Sequence, residues 1–157
     1  MAFFRNLLRY VGLILILAIY VVSGLHKIMD PSAGAAMLAK SNFPKMIAPL
    51  GVVLGMEEFI YVIQATGVIF LSFSLFILLG VGRSFFSFLM AIGTIIITVA
   101  FFVNLDDPLN VTEENGIHIM QNLGLVGGFL FVAGSGHRSQ KYSKAHQEAQ
   151  HNAKKNH

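Results

Sequence analysis

The chain has 157 residues, of which 55% are hydrophobic and 12% charged, against about 25% charged in an ordinary soluble domain. With a mean hydropathy of +0.67 it has neither the polar surface of a soluble globule nor the low hydrophobicity of a disordered chain. It contains no cysteine, which removes disulfides, thiolate metal sites and cysteine nucleophiles, and its formal charge of +3 lies in short flanks around apolar runs, the pattern of a membrane protein rather than of a nucleic-acid binder.

The charge-free runs measure the helices. Sixteen residues separate Arg9 from His26, 24 separate Glu58 from Arg83, and 22 separate Arg83 from Asp106. A fourth run covers residues 115–136 and is interrupted only by His118. A hydrocarbon core of about 30 Å takes about 20 helical residues, so the last three runs qualify directly. The first qualifies as 7–28, with Arg9 and Lys27 near opposite interfaces where long cationic side chains reach water. The rival reading is a signal peptide with Arg5 and Arg9 as its basic region. The run is long for a signal core, however, and Leu25-His26-Lys27 offers no small-residue cleavage site.

After the first span, Pro31 and Pro44 bracket an Ala-rich stretch, 32–41, too short to cross, which predicts a short interfacial helix. Residues 45–56 are apolar but hold Pro49, Gly51 and Gly55, and read either as an interfacial helix or as an extension of the next span. The remaining spans are predicted at 57–80, 84–105 and 116–136. The fold expected is all-α, an integral membrane four-helix bundle over residues 1–136, followed by a polar basic tail, 137–157.

Four spans put the N-terminus, the second connection and the tail on one side, with Arg5, Arg9, Arg83, Arg138, Lys141, Lys144, Lys154 and Lys155 against Glu148. The other side holds Lys27, Lys40 and Lys45 against Asp30, Glu57, Glu58, Asp106, Asp107, Glu113 and Glu114. Eight cations against three predict that both termini face the cytoplasm or the equivalent matrix side.

Lipid gives helices no hydrophobic reason to associate, so small residues and interhelical hydrogen bonds must do it. Gly124 and Gly128 form a small-x-x-x-small pair in the fourth span, and Gly51 and Gly55 another before the second. Ser87, Ala91, Thr94 and Thr98 share one face of the third. These are expected to be packing faces, without chemistry of their own.

The residues with chemical capacity collect toward the acidic side. His26 and Lys27 end the first span, Glu57 and Glu58 open the second, Asp106 and Asp107 close the third, and His118 opens the fourth. Glu57, Tyr61 and Gln64 share a face of the second helix, and His118 and Gln121 one of the fourth, with Asn122 nearby. Polar groups at this depth must face protein or water, which predicts a polar pocket or network. The favoured reading is an interhelical network in which His26 or Lys27 pairs with Glu57 or Glu58 while Gln64, Gln121 and Asn122 bond across helices. Metal ligation by His26, Glu58 and His118 is weaker, since these three share no local spacing of the kind that seats zinc or iron. A quinone or lipid headgroup site using His118 and Gln121 is the third reading. No catalytic, cofactor-binding or metal residue is expected.

Asn110-Val111-Thr112 is a glycosylation sequon on the non-cytoplasmic side, but it lies close to two predicted spans, where modification is usually prevented. The ending Lys154-Lys155-Asn156-His157 looks like a dilysine retrieval signal. The tail has no apolar face large enough to order itself, and such a tail stays mobile unless a partner holds it.

The order of features resembles the DoxX-like four-helix membrane proteins. The first span closes in Ser23-Gly24-Leu25-His26-Lys27-Ile28 before Pro31, Pro44 follows, Glu58 opens the second span, and the last reads Gln121-Asn122-Leu123-Gly124-Leu125-Val126-Gly127-Gly128. That final motif is similar to one in the plant lesion-inducing branch, and the similarity runs from about residue 7 to 136. The family is named after a component of a terminal quinol oxidase, and its relatives include a receptor-assembly chaperone and, more distantly, endoplasmic reticulum cargo receptors. The resemblance implies the fold more firmly than the role. With no haem-ligand pair and no flavin-type glycine fingerprint, an enzyme is the less favoured answer. The expectation is a non-catalytic accessory or assembly subunit that docks against other membrane subunits, with the respiratory chain of the mitochondrial inner membrane as the favoured setting. An endoplasmic reticulum chaperone or cargo receptor and a quinone-interacting oxidoreductase subunit are the alternatives.

Overall fold

The computed structural model describes the backbone of residues 2–103, 105, 107, 108 and 110–155, and within that set the side chains of residues 4 and 7–135. It is an all-α four-helix bundle with two short helices. The long helices are α1 (Ala2–Met29), α4 (Met56–Leu79), α5 (Arg83–Phe102) and α6 (Glu113–Lys155), and the short ones are α2 (Pro31–Lys40) and α3 (Phe43–Ile47). Leu7–Met29, Met56–Leu79, Arg83–Phe102 and Glu113–Ser135 are each long and apolar enough to cross a membrane. Only 11% to 28% of the residues in the apolar stretch of each span are buried inside the bundle, and many large apolar side chains are exposed, as a lipid-dissolved protein requires.

Local chemistry sets the boundaries. Asp30 precedes Pro31 and is pushed out of the helical region, to φ −135° and ψ 79°. That ends α1, and Pro31 then opens α2. α2 packs on the bundle as a short helix between the first two spans. It buries Ala35 and Leu38 against Phe59 and Ile63 of α4, and Gly34 approaches Ile63 closely enough that an added Cβ would sit 3.1 Å from its Cγ2. Residues 45–56 are not an extension of the second span. α3 and a turn of 3-10 helix, Ala48–Leu50, end at Gly51 with φ +72°, and residues 52–55 are non-helical. The Gly51/Gly55 spacing therefore marks no helix face, because neither glycine lies within a helix.

α4 stops in a Schellman turn. Gly80, at φ +79°, donates its N–H to Ile77, and Val81 donates to Phe76 at 3.0 Å. Gly82, at φ +56°, then starts α5, so three residues reverse the chain. The third span closes at Phe102, short of residue 105, because the carbonyls there are taken by a residue from elsewhere. Asn42 donates its backbone N–H to Ala100 at 2.9 Å and its side-chain amide to Val99 and Val103. α6 runs unbroken from Glu113 through the last span to Lys155.

All four long helices supply the core: Leu13, Leu17 and Tyr20 from α1, Phe70 and Ile77 from α4, Met90 and Ala91 from α5, Val126 and Phe129 from α6. At its centre Tyr20 meets Phe70 and Phe129 edge-on, with ring centroids 5.2 and 5.1 Å away. The Tyr20 hydroxyl lies 2.6 Å from Thr94 Oγ1, and Thr94 donates to the Met90 carbonyl at 2.7 Å. Thr94 has one proton, so Tyr20 is the donor to it. Ser87, Ala91 and Thr94 are buried on the expected stripe. Gly128 packs on Ile16 of α1, whereas an added Cβ on Gly124 would meet nothing within 4 Å. α1 and α4 approach closely through glycine, where a Cβ on Gly67 would lie 2.8 Å from the Gly24 carbonyl.

Candidate functional site

α1 and α4 run antiparallel with Gly24 against Gly67, and this alignment fixes the depth of every polar residue on the acidic side. Lys27 lies beside Gly67, half-buried, with its ammonium donating to Ser23 Oγ at 2.5 Å and held 5.7 Å over the Phe70 ring. Glu57 and Glu58 lie nine or ten residues earlier on α4, about 14 Å further along its axis. α2 covers that part of α4. Among the described residues no ion pair joins His26 or Lys27 to Glu57 or Glu58. His26, Glu57, Glu58 and Tyr61 are exposed, and Gln64 is half-buried.

The charges instead serve the helix ends that carry them. His26 and Lys27 occupy the last turn of α1, and Lys40 that of α2, where the carbonyl ends attract cations. Glu57 and Glu58 occupy the first turn of α4, and Glu113 and Glu114 that of α6, where free N–H groups attract anions. Glu58 folds back over the start of its helix, so a Cβ on Gly55 would lie 2.7 Å from its Oε2. Asp30 is held below the usual carboxylate range, first by the Ser32 hydroxyl, which donates to Oδ1 at 2.6 Å; desolvation opposes this, and the Ser32 N–H, the attraction of His26 and the Ala33 N–H add to the lowering.

On the other side of the bundle His118 is half-buried and stacks on Phe102, with centroids 4.8 Å apart and planes at 24°. Gln121 is exposed and Asn122 half-buried. Asp106 lies outside the described residues, as do the side chains of Lys154 and Lys155.

The described residues line cavities of three kinds. A polar one of about 290 Å³ is lined by Lys40, Ser41, Asn42, Phe102, Thr112 and Asn115 among others, beside the Phe102–His118 stack. An apolar cleft of about 470 Å³ between α1 and α4 contains Ser74, whose hydroxyl is buried without a partner. A groove of about 560 Å³ between α1 and α6 carries Arg9 and Arg83. None of the three is lined by His26, Lys27, Glu57, Glu58, Tyr61, Gln64, His118, Gln121 or Asn122. Among the described residues no group of three or more His, Cys, Asp or Glu is placed to hold a metal ion.

Sequence reasoning missed Asn42 and the pairing of Gly24 with Gly67. Asn42 precedes Phe43-Pro44 in a loop and carries no local signal of a capping role. The glycines become partners only once two distant helices are aligned. The Tyr20 hydroxyl had a signal, an isolated hydrogen-bonding group deep in an apolar span, which demands a partner.

Comparison of the chain with protein-family models, curated proteins and solved structures gives no match.

Proposed function

We propose that the chain is a non-catalytic accessory or assembly subunit of a larger membrane complex, which it joins laterally in the bilayer and through its C-terminal arm. One observation carries this reading. α6 is a single helix of 43 residues, about 65 Å long at 1.5 Å per residue, and only Glu113–Ser135 is apolar enough to span. The remaining 20 residues continue the helix about 30 Å further with a sequence that contains five Lys and Arg, three His and no apolar run. A helix without a broad apolar face holds its shape chiefly by docking, since propensity alone is marginal at this length.

The cation distribution supports an orientation with both termini on the cytoplasmic or matrix side. The DoxX-like resemblance favours a respiratory setting in the mitochondrial inner membrane. The test is purification from native membranes in mild detergent, with the intact chain and a variant ending at Ser135. The intact chain should migrate with a larger membrane assembly and the truncated chain should leave it while keeping the helical signal of its four spans. Migration of the intact chain by itself, or an association indifferent to truncation, would overturn the reading. Co-purification with secretory cargo would place the chain in the endoplasmic reticulum instead.

A further inference from the structure

We infer that the groove between α1 and α6 is a binding site for one anionic phospholipid. Its chemistry changes with depth as that of a lipid does. At the rim stand two arginines, Arg9 from the start of the first span and Arg83 from the first turn of α5. Below them the wall is apolar, with Leu13 and Ile16 on one side and Phe131 and Val132 on the other. Gly12 faces open space within the cleft while Gly128 packs on Ile16 beside it, and at about 560 Å³ the cleft falls within the usual range of ligand sites, about 300–1,000 Å³.

Arg83 is set in place before any ligand arrives. Its Nε donates to the Ile77 carbonyl at 3.1 Å, its guanidinium carbon lies 5.8 Å over the Tyr10 ring, and Gly80 leaves room for one terminal nitrogen. The Nε bond leaves the terminal N–H groups to bind a phosphate, and the free N–H groups at the start of α5 add to the local positive field. Arg9 is exposed at the same rim. A protein helix seated here would have to bring two carboxylates to match the arginines or leave them buried without partners. A phospholipid brings its anion at the interface and its acyl chain below it, in the order in which the groove presents arginine and hydrocarbon. This site is independent of the arm on α6 and of the role proposed for it.

The test uses the full chain reconstituted in phosphatidylcholine vesicles doped with spin-labelled phosphatidylglycerol or spin-labelled phosphatidylcholine. The motionally restricted fraction should favour phosphatidylglycerol, with each arginine contributing about fivefold, the gain expected of one cation near an anionic headgroup. Arg9→Gln and Arg83→Gln should each remove about that factor. Arg83 also braces α4, so a third variant separates folding from binding. A Cβ on Gly12 meets nothing within 4 Å, so Gly12→Phe should fill the groove, leave helical content unchanged and abolish the preference. Inorganic phosphate should not displace the lipid. Equal restriction of the two lipids by the unmodified chain, a preference untouched by Arg9→Gln and Gly12→Phe, or displacement by phosphate would overturn the proposal.

Discussion

At the end of the bundle that carries Arg83, α4 and α5 are joined by three residues, and the exposed carbonyls of α4 are met by the turn itself and by Arg83. At the opposite end, residues 30–55 separate α1 from α4 and fold into α2 and α3, and the carbonyls of α5 are met by Asn42 from that insertion. The first end is closed by neighbours in sequence and leaves the α1–α6 groove open. The second is closed by a residue 57 positions or more from its acceptors, so its integrity depends on tertiary structure. Local closure leaves room for a ligand, whereas closure at a distance ties the insertion into the bundle.

The largest test of the contrast lies between the ends, at the glycine crossing. Gly67→Ala places a methyl group against the Gly24 backbone, which cannot yield as a flexible side chain would, and should cost about 2–3 kcal/mol. Gly12→Ala faces open space and should be neutral or slightly stabilising. Denaturant unfolding in detergent measures both. Asn42→Ala should come next, at about 1–2 kcal/mol for carbonyls left without their donor, with faster amide exchange confined to the last turns of α5 and to α2. Exchange that accelerates equally at the Gly80–Gly82 turn would show that the two ends are not independent.

Tyr20→Phe keeps the ring between Phe70 and Phe129 and loses the bond to Thr94. It should cost about 0.6–1.7 kcal/mol, the range of interhelical hydrogen bonds in membranes, and a double-mutant cycle with Thr94→Val should return most of it. The smallest effect is expected at Asp30. Its folded-state pKa lies below the unfolded value, so its contribution is complete above the ordinary carboxylate range and is lost as pH falls through the depressed value. Ser32→Ala should raise the pH at which helix is lost in an acid titration by a small amount, because the carboxylate is fully exposed.

Much of the fold was legible in the sequence because its cause is one-dimensional. A charge-free run has a length, and the bilayer sets the length required, so the spans came out within a few residues. The stripe of Ser87, Ala91 and Thr94 was legible for the same reason, being a periodicity within one helix. The candidate site was less so. The sequence puts every helix end at one level, which gathers His26, Lys27, Glu57 and Glu58. In the bundle α1 ends where α4 is already more than two turns long, and α2 occupies the difference. Depth depends on how helices are aligned, and here the alignment is set by Gly24 against Gly67, a contact that neither glycine announces by itself.

The hydroxyl of Tyr20 has an optical consequence. The chain contains no tryptophan and four tyrosines, and of the three whose side chains are described Tyr10 and Tyr61 are exposed while Tyr20 is 5% accessible and bonded to Thr94. A phenol that donates in a dry environment absorbs at longer wavelength than one in water, and packing between two fixed rings makes its transition dichroic. The near-ultraviolet spectrum of the unlabelled protein is thus a gauge of whether α1, α4, α5 and α6 have come together.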